Sequence, residues 1–73
     1  MMRYINLDAE QARKGLSDEK VAAAISISRK AYTDRKNMKA AFKISDINKL
    51  LQIFDAKFEY LFAKSNDGQG DTK

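Results

Sequence analysis

Six cations, Arg29, Lys30, Arg35, Lys36, Lys39 and Lys43, fall between residues 29 and 43 with only Asp34 against them. That segment carries +5 in a chain whose net charge is +4, so everything outside it sums to −1. Positive charge this concentrated suits an anionic partner. The residue types divide the work: Arg offers a planar fork of donors, Lys a point charge, and Thr a methyl and a hydroxyl. Catalytic chemistry has no comparable basis. The chain has no His and no Cys, which removes the commonest general base and metal ligand together with disulfides, zinc ribbons and thiol chemistry. Ser17, Ser28 and Ser45 have no Lys placed as a base and read as helix caps. The carboxylates gather at helix starts, where the helix dipole explains them better than metal binding or acid–base work does. The expectation is a chain that is not an enzyme and takes no cofactor, metal or small-molecule ligand.

Those residues need a scaffold, and 73 residues leave room for one small domain and no second one. A hydrophobic content of 44% with 3 Tyr, 4 Phe and no Trp makes a compact core, expected to supply only about 3 to 5 kcal/mol at this size. Burial against a second copy, as a homodimer, is expected to add to it. There is no apolar run near the length of a membrane span and no hydrophobic signal region after Arg3, so the expected location is cytoplasmic, without membrane contact.

Without proline, helix ends must come from Gly, Asn and Ser. Asn6 is placed to cap a first helix, Leu7 to Lys14, with Asp8 and Glu10 near its start and Gly15 at its C-terminal stop. Ser17 opens a second helix with Asp18 and Glu19 in its first turn and Val21, Ala22, Ala24 and Ile25 on one face. Ser28 caps a third, Arg29 to Lys36, polar apart from Ala31 and Tyr32. Asn37 to Lys43 reads as a loop, although Met38, Lys39, Ala40 and Ala41 could continue a helix on propensity alone. From Ser45, Ile47, Leu50, Leu51 and Phe54 recur at i, i+3, i+4 and i+7, the strongest helical pattern in the chain. Asp55 and Ala56 break it, and Phe58, Leu61 and Phe62 add a last helical turn. Residues 65–73 have the composition of a disordered tail, which leaves residues 1–64 as the domain. Strand and hairpin signals are absent.

The stretch Asp18 to Asn37 fits two short helices crossing through a tight turn. Ala22 is small where the helices must touch, and Val21, Ile25, Ile27 and Tyr32 are apolar beneath. Ser26 occupies the turn position that needs positive φ and favours glycine. Arg35 stands where an aliphatic side chain is usual; either it lays its stem on apolar surface with its head in water, the preferred reading, or the third helix is rotated or frayed at its end. Tyr32 reads as core rather than as a base-stacking platform.

This order of elements resembles the Cro and C1 repressor type of helix-turn-helix domain, XRE-like, and more closely the small phage-derived regulators of Gram-positive bacteria. The resemblance is carried by Asn6 through Ser17, the capped third helix from Ser28, Asn37, and the run from Phe42 to Glu59-Tyr60-Leu61-Phe62. The chain departs from the family at Ser26 and Met38, which replace glycines, at Arg35 and Lys36, and at Asp18, where a carboxylate replaces a phosphate-contacting Gln. A carboxylate there is expected to repel a phosphate.

What the resemblance implies is an all-α, lambda-repressor-like bundle of about five short helices acting as a sequence-specific regulator of transcription, a homodimer on a double-stranded DNA operator. The third helix enters the major groove, with Arg29, Lys30 and Thr33 facing base edges and Ser17, Ser28, Asn37, Lys39 and Lys43 near the DNA backbone. Arg29 is the leading reader, since its fork can bind guanine O6 and N7 together. Asp34 accepts from a cytosine amine or holds Lys30 in place. A mobile-element, Cro-like repressor located with the nucleoid follows from the resemblance alone. If about six cations release counterions, log K falls with log salt at a slope of roughly −5 per subunit. The bland alternative for these cations is a solvated helix face. A rival from another class is an antirepressor or adaptor that keeps the fold and turns the third helix on an acidic protein surface.

Overall fold

Among the described residues, short breaks separate five helices: α1 (Ile5–Lys14), α2 (Asp18–Ala24), α3 (Arg29–Lys36), α4 (Ile44–Phe54) and α5 (Phe58–Leu61). This computed structural model describes residues 2–63 and 65–66. A minimal antiparallel ribbon joins the two ends, β1 (Met2–Arg3) against β2 (Ser65–Asn66), with Met2 opposite Asn66 and Arg3 opposite Ser65. The expected disordered tail is therefore corrected at residues 65 and 66, whose backbone pairs with β1. Residues 67–73 lie outside the described residues.

Two of the expected caps are in place. Ser17 Oγ accepts from the Lys20 amide at 3.2 Å and Ser28 Oγ from the Ala31 amide at 3.1 Å, each satisfying an amide that a first turn leaves orphaned. The other two are corrected. Helix α1 starts at Ile5 with Tyr4 as its N-cap, and Asn6 lies inside the helix, donating from Nδ2 to the Tyr60 carbonyl at 2.8 Å. Helix α4 starts at Ile44, and its first turn is closed by Asp46, whose Oδ2 accepts from the Lys43 amide at 3.2 Å; Ser45 is an exposed residue of that turn.

Helices α1, α2 and α3 stop in the same way. After α1, Leu16 N–H bonds Gln11 C=O at 2.8 Å and Gly15 N–H bonds Ala12 C=O at 3.2 Å. After α2, Ile27 bonds Ala22 at 3.0 Å and Ser26 bonds Ala23 at 3.2 Å; after α3, Lys39 bonds Asp34 at 2.8 Å and Met38 bonds Arg35 at 3.1 Å. This is the Schellman closure, which needs a left-handed residue, and Gly15, Ser26 and Met38 take φ of 66°, 64° and 64°. Only the first is glycine, so the other two hold a strained conformation that the turn between α2 and α3, and the exit from α3, both require.

The core is built from Leu7 of α1, Val21 and Ala22 of α2 with Ile25 just beyond, Tyr32 of α3, Leu50 and Phe54 of α4, and Leu61 and Phe62 at α5. Phe42 ties the long loop to it: its ring lies 5.8 Å from Tyr4, 6.0 Å from Tyr32 and 5.5 Å from Phe62, within the range of favourable aromatic pairs. Among the described residues, no helix is long and apolar enough to cross a membrane.

Candidate nucleic-acid interface

A polar cluster between α1, α2 and α3 fixes the outward helix. Spacing of four along α1 puts Gln11 on the same buried face as Leu7, and both are buried. Gln11 Nε2 donates to Asp18 Oδ1 at 2.9 Å and to the Leu16 carbonyl at 3.1 Å, while its Oε1 accepts from the Tyr32 hydroxyl. Lys36, from the last turn of α3, is buried. Its Nζ lies 2.6 Å from Asp8 Oδ1 and 2.6 Å from Asp18 Oδ1, and 5.4 Å from the Tyr32 ring centroid. Arg3 pairs with Asp8. Two cations and two carboxylates thus meet with no net charge, tying β1 and α1 to the helical pair.

Asp18 is thus not a bare negative charge at the start of α2: Lys36, Gln11 and Thr33 all hold its carboxylate. Burial alone raises its carboxyl pKa, but the hydrogen bonds of Gln11 and Lys36, the Lys36 charge and the Thr33 hydroxyl outweigh it and hold the pKa below the ordinary value. For Tyr32, burial and the nearby Asp18 charge push the phenol well above its ordinary value, as expected of a core tyrosine.

Arg35 is corrected too. Its head is mostly withdrawn from water: the side chain is 17% exposed, Nη1 lies 3.6 Å from Asp46 Oδ2, and among the described residues Nε and Nη1 are buried without hydrogen-bond partners. The aliphatic position is filled by an arginine held against the start of α4.

The remaining candidates are distributed as follows. Arg29 is exposed at the start of α3. Lys30 is 85% exposed and bonds Asp34 Oδ2 at 3.1 Å, one turn along. Thr33, half-buried, stands one turn after Arg29 and donates its hydroxyl to Asp18 Oδ2 at 3.0 Å. Asn37 is the half-buried C-cap of α3, with its amide bonded to the Thr33 carbonyl at 3.0 Å. Lys39 and Lys43 are exposed on the loop beyond. Ser17 and Ser28 are exposed caps whose oxygens already accept from the backbone. The Thr33–Asp18 bond brings the start of α2 beside the middle of α3, while Lys39 and Lys43 follow on a separate loop.

Of the six cations between residues 29 and 43, Arg35 and Lys36 are engaged inside the protein, and Arg29, Lys30, Lys39 and Lys43 remain exposed. The supporting roles of Arg3, Asp8 and Gln11 were not visible as chemistry in the sequence; the one signal was Gln11 falling on the apolar face of its helix. Among the described residues, no group of three or more His, Cys, Asp or Glu side chains could hold a metal ion. No family model, curated protein or solved structure matches the chain.

Proposed function

We propose that the chain is a sequence-specific DNA-binding regulator of transcription, of the Cro/C1 kind, which lays α3 in the major groove of a double-stranded operator as a homodimer. The observation that supports this best is the division of the basic segment: Arg35 and Lys36 brace α3 from within, while Arg29 and Lys30 are exposed on its first turn. A helix so braced presents its N-terminal side chains in a fixed register, as base reading requires.

Arg29 is the principal reader, with Lys30 and Thr33 beside it. Lys39 and Lys43 supply charge to the phosphates, and Ser17, Ser28 and Asn37 supply polar groups at the backbone. Occupancy of the operator blocks or steers transcription, and the place of action is the nucleoid. The rival reading, an adaptor using α3 on an acidic protein surface, draws on Arg35 and Lys36 as departures from a DNA reader; their inward pairing weakens that motive.

Selection from a random duplex library at about 150 mM salt tests the proposal, with the wild type run beside an Arg29→Ala, Lys30→Ala, Thr33→Ala triple variant. The expected result is a half-site motif that disappears in the triple variant. A folded wild-type chain that enriches no sequence would refute it.

A further inference from the structure

Thr33 differs from Arg29 and Lys30 in that its polar atom is turned into the protein. The hydroxyl donates to Asp18 Oδ2 at 3.0 Å, and Asp18 is itself held by Lys36 at 2.6 Å and Gln11 at 2.9 Å through its other oxygen. An acceptor gripped from two sides cannot swing away to release the hydroxyl. Thr33 remains half-buried rather than covered, and with the oxygen directed toward α2 the other substituent on its Cβ is the γ-methyl.

Resting on the proposed DNA-reading role of α3, we infer that Thr33 is an apolar reader that selects thymine through its 5-methyl group. A free threonine hydroxyl can donate or accept and so tolerates several bases, whereas a methyl in the major groove favours the one base that carries a methyl there. Sequestering the hydroxyl narrows the choice. Asp18 and Lys36 are then positioning residues: they fix which side of Thr33 is shown and need make no contact with DNA themselves.

The spacing on α3 adds a geometric consequence. Arg29 and Thr33 are separated by four residues, about 6 Å of helix axis at 1.5 Å per residue, and base pairs stack about every 3.4 Å. The thymine read by Thr33 therefore lies one or two base pairs from the guanine read by Arg29.

The experiment uses the duplex recovered by selection, with each thymine replaced in turn by deoxyuridine, which lacks only the methyl. Wild type, Thr33→Val and Thr33→Ser are compared by Kd. For the wild type, one replacement is expected to weaken binding about fourfold, the worth of one buried methyl. Thr33→Val keeps the methyl and is expected to keep that ratio; Thr33→Ser keeps the hydroxyl for Asp18 and is expected to bring the ratio to one. A wild-type ratio of one at every thymine, or a Thr33→Ser variant that retains the wild-type ratio, would overturn the inference while leaving sequence-specific binding intact. Recovery of no site at all from folded wild type would instead remove the DNA-reading role of α3, and the inference with it. The wild-type measurement needs no variant to fold.

Discussion

Replacing Lys36 by Met removes the ammonium from the polar cluster while a stem of similar length stays over Tyr32. Lys36 Nζ sits 2.6 Å from a carboxylate oxygen of both Asp8 and Asp18, so the substitution leaves Asp8 with Arg3 and takes from Asp18 its ion pair. Breaking a buried ion pair from one side costs about 3 to 5 kcal/mol. Here the Asp8 and Asp18 side chains are 31% and 26% exposed, and Asp18 keeps the donors Gln11 and Thr33, so the loss should fall lower, at about 2 to 3 kcal/mol. Against the roughly 3 to 5 kcal/mol expected of a core this size, the variant should keep a folded state of much reduced stability. Urea unfolding followed by circular dichroism measures the difference. The pH dependence adds a second arm. The Asp18 pKa is held below its ordinary 3.8 in the folded chain, so its contribution is fully present above pH 3.8 and is lost as pH falls below it. That contribution depends partly on Lys36, and the gap between wild type and Lys36→Met should shrink in that acid range. A variant within about 0.5 kcal/mol of wild type at pH 7, the scatter of ordinary surface changes, would refute the account of the cluster, as would a gap that does not shrink.

Other expectations follow from the same geometry. Four exposed cations rather than six should give a log K against log salt slope of about −3 to −4 per subunit, about twice that for a dimer on two half-sites, and Lys39→Ala should reduce the slope by about 0.9 without changing base preference; titration at several salt concentrations measures it. Ser26→Gly and Met38→Gly should each raise stability in urea by about 0.5 to 1 kcal/mol, the left-handed strain relieved less the added freedom of the unfolded chain. Ser17→Ala and Ser28→Ala should each lower stability by about 1 kcal/mol, and Ser45→Ala by less than about 0.5 kcal/mol. Asn6→Ala should lower it by about 0.5 to 1 kcal/mol through the lost bond to the Tyr60 carbonyl rather than a lost cap.

Local signals were legible where local chemistry decided the outcome. Ser17 and Ser28 cap as their positions suggest, the α4 stripe buries Leu50 and Phe54, and Ser26 holds the left-handed conformation its turn position requires. Local signals misled where a distant partner claimed the residue. Asn6 has a cap's chemistry, but Tyr60, 54 positions later, takes its amide. Asp46 reaches back to the Lys43 amide and starts α4 ahead of Ser45. Arg35 looked like a charge that must reach water, because nothing in its neighbourhood reveals Asp46 as its partner. The polar cluster was illegible for the same reason, since Asp8 and Lys36 stand far apart in sequence. The two-residue ribbon is too short to leave a pattern of alternation.

The central claim is that α3 reads base edges through Arg29, and it is tested most directly by a single-residue change measured against single-base changes. Kd is determined for wild type and Arg29→Ala on the selected half-site and on each one-base-pair substitution of it. At one G·C pair the wild type should discriminate by about 5- to 150-fold, the range for a bidentate arginine contact, and Arg29→Ala should lose that discrimination there while keeping it at the other positions. An Arg29→Ala variant that weakens binding equally on every duplex and preserves the whole preference would contradict the claim and reduce Arg29 to a phosphate contact.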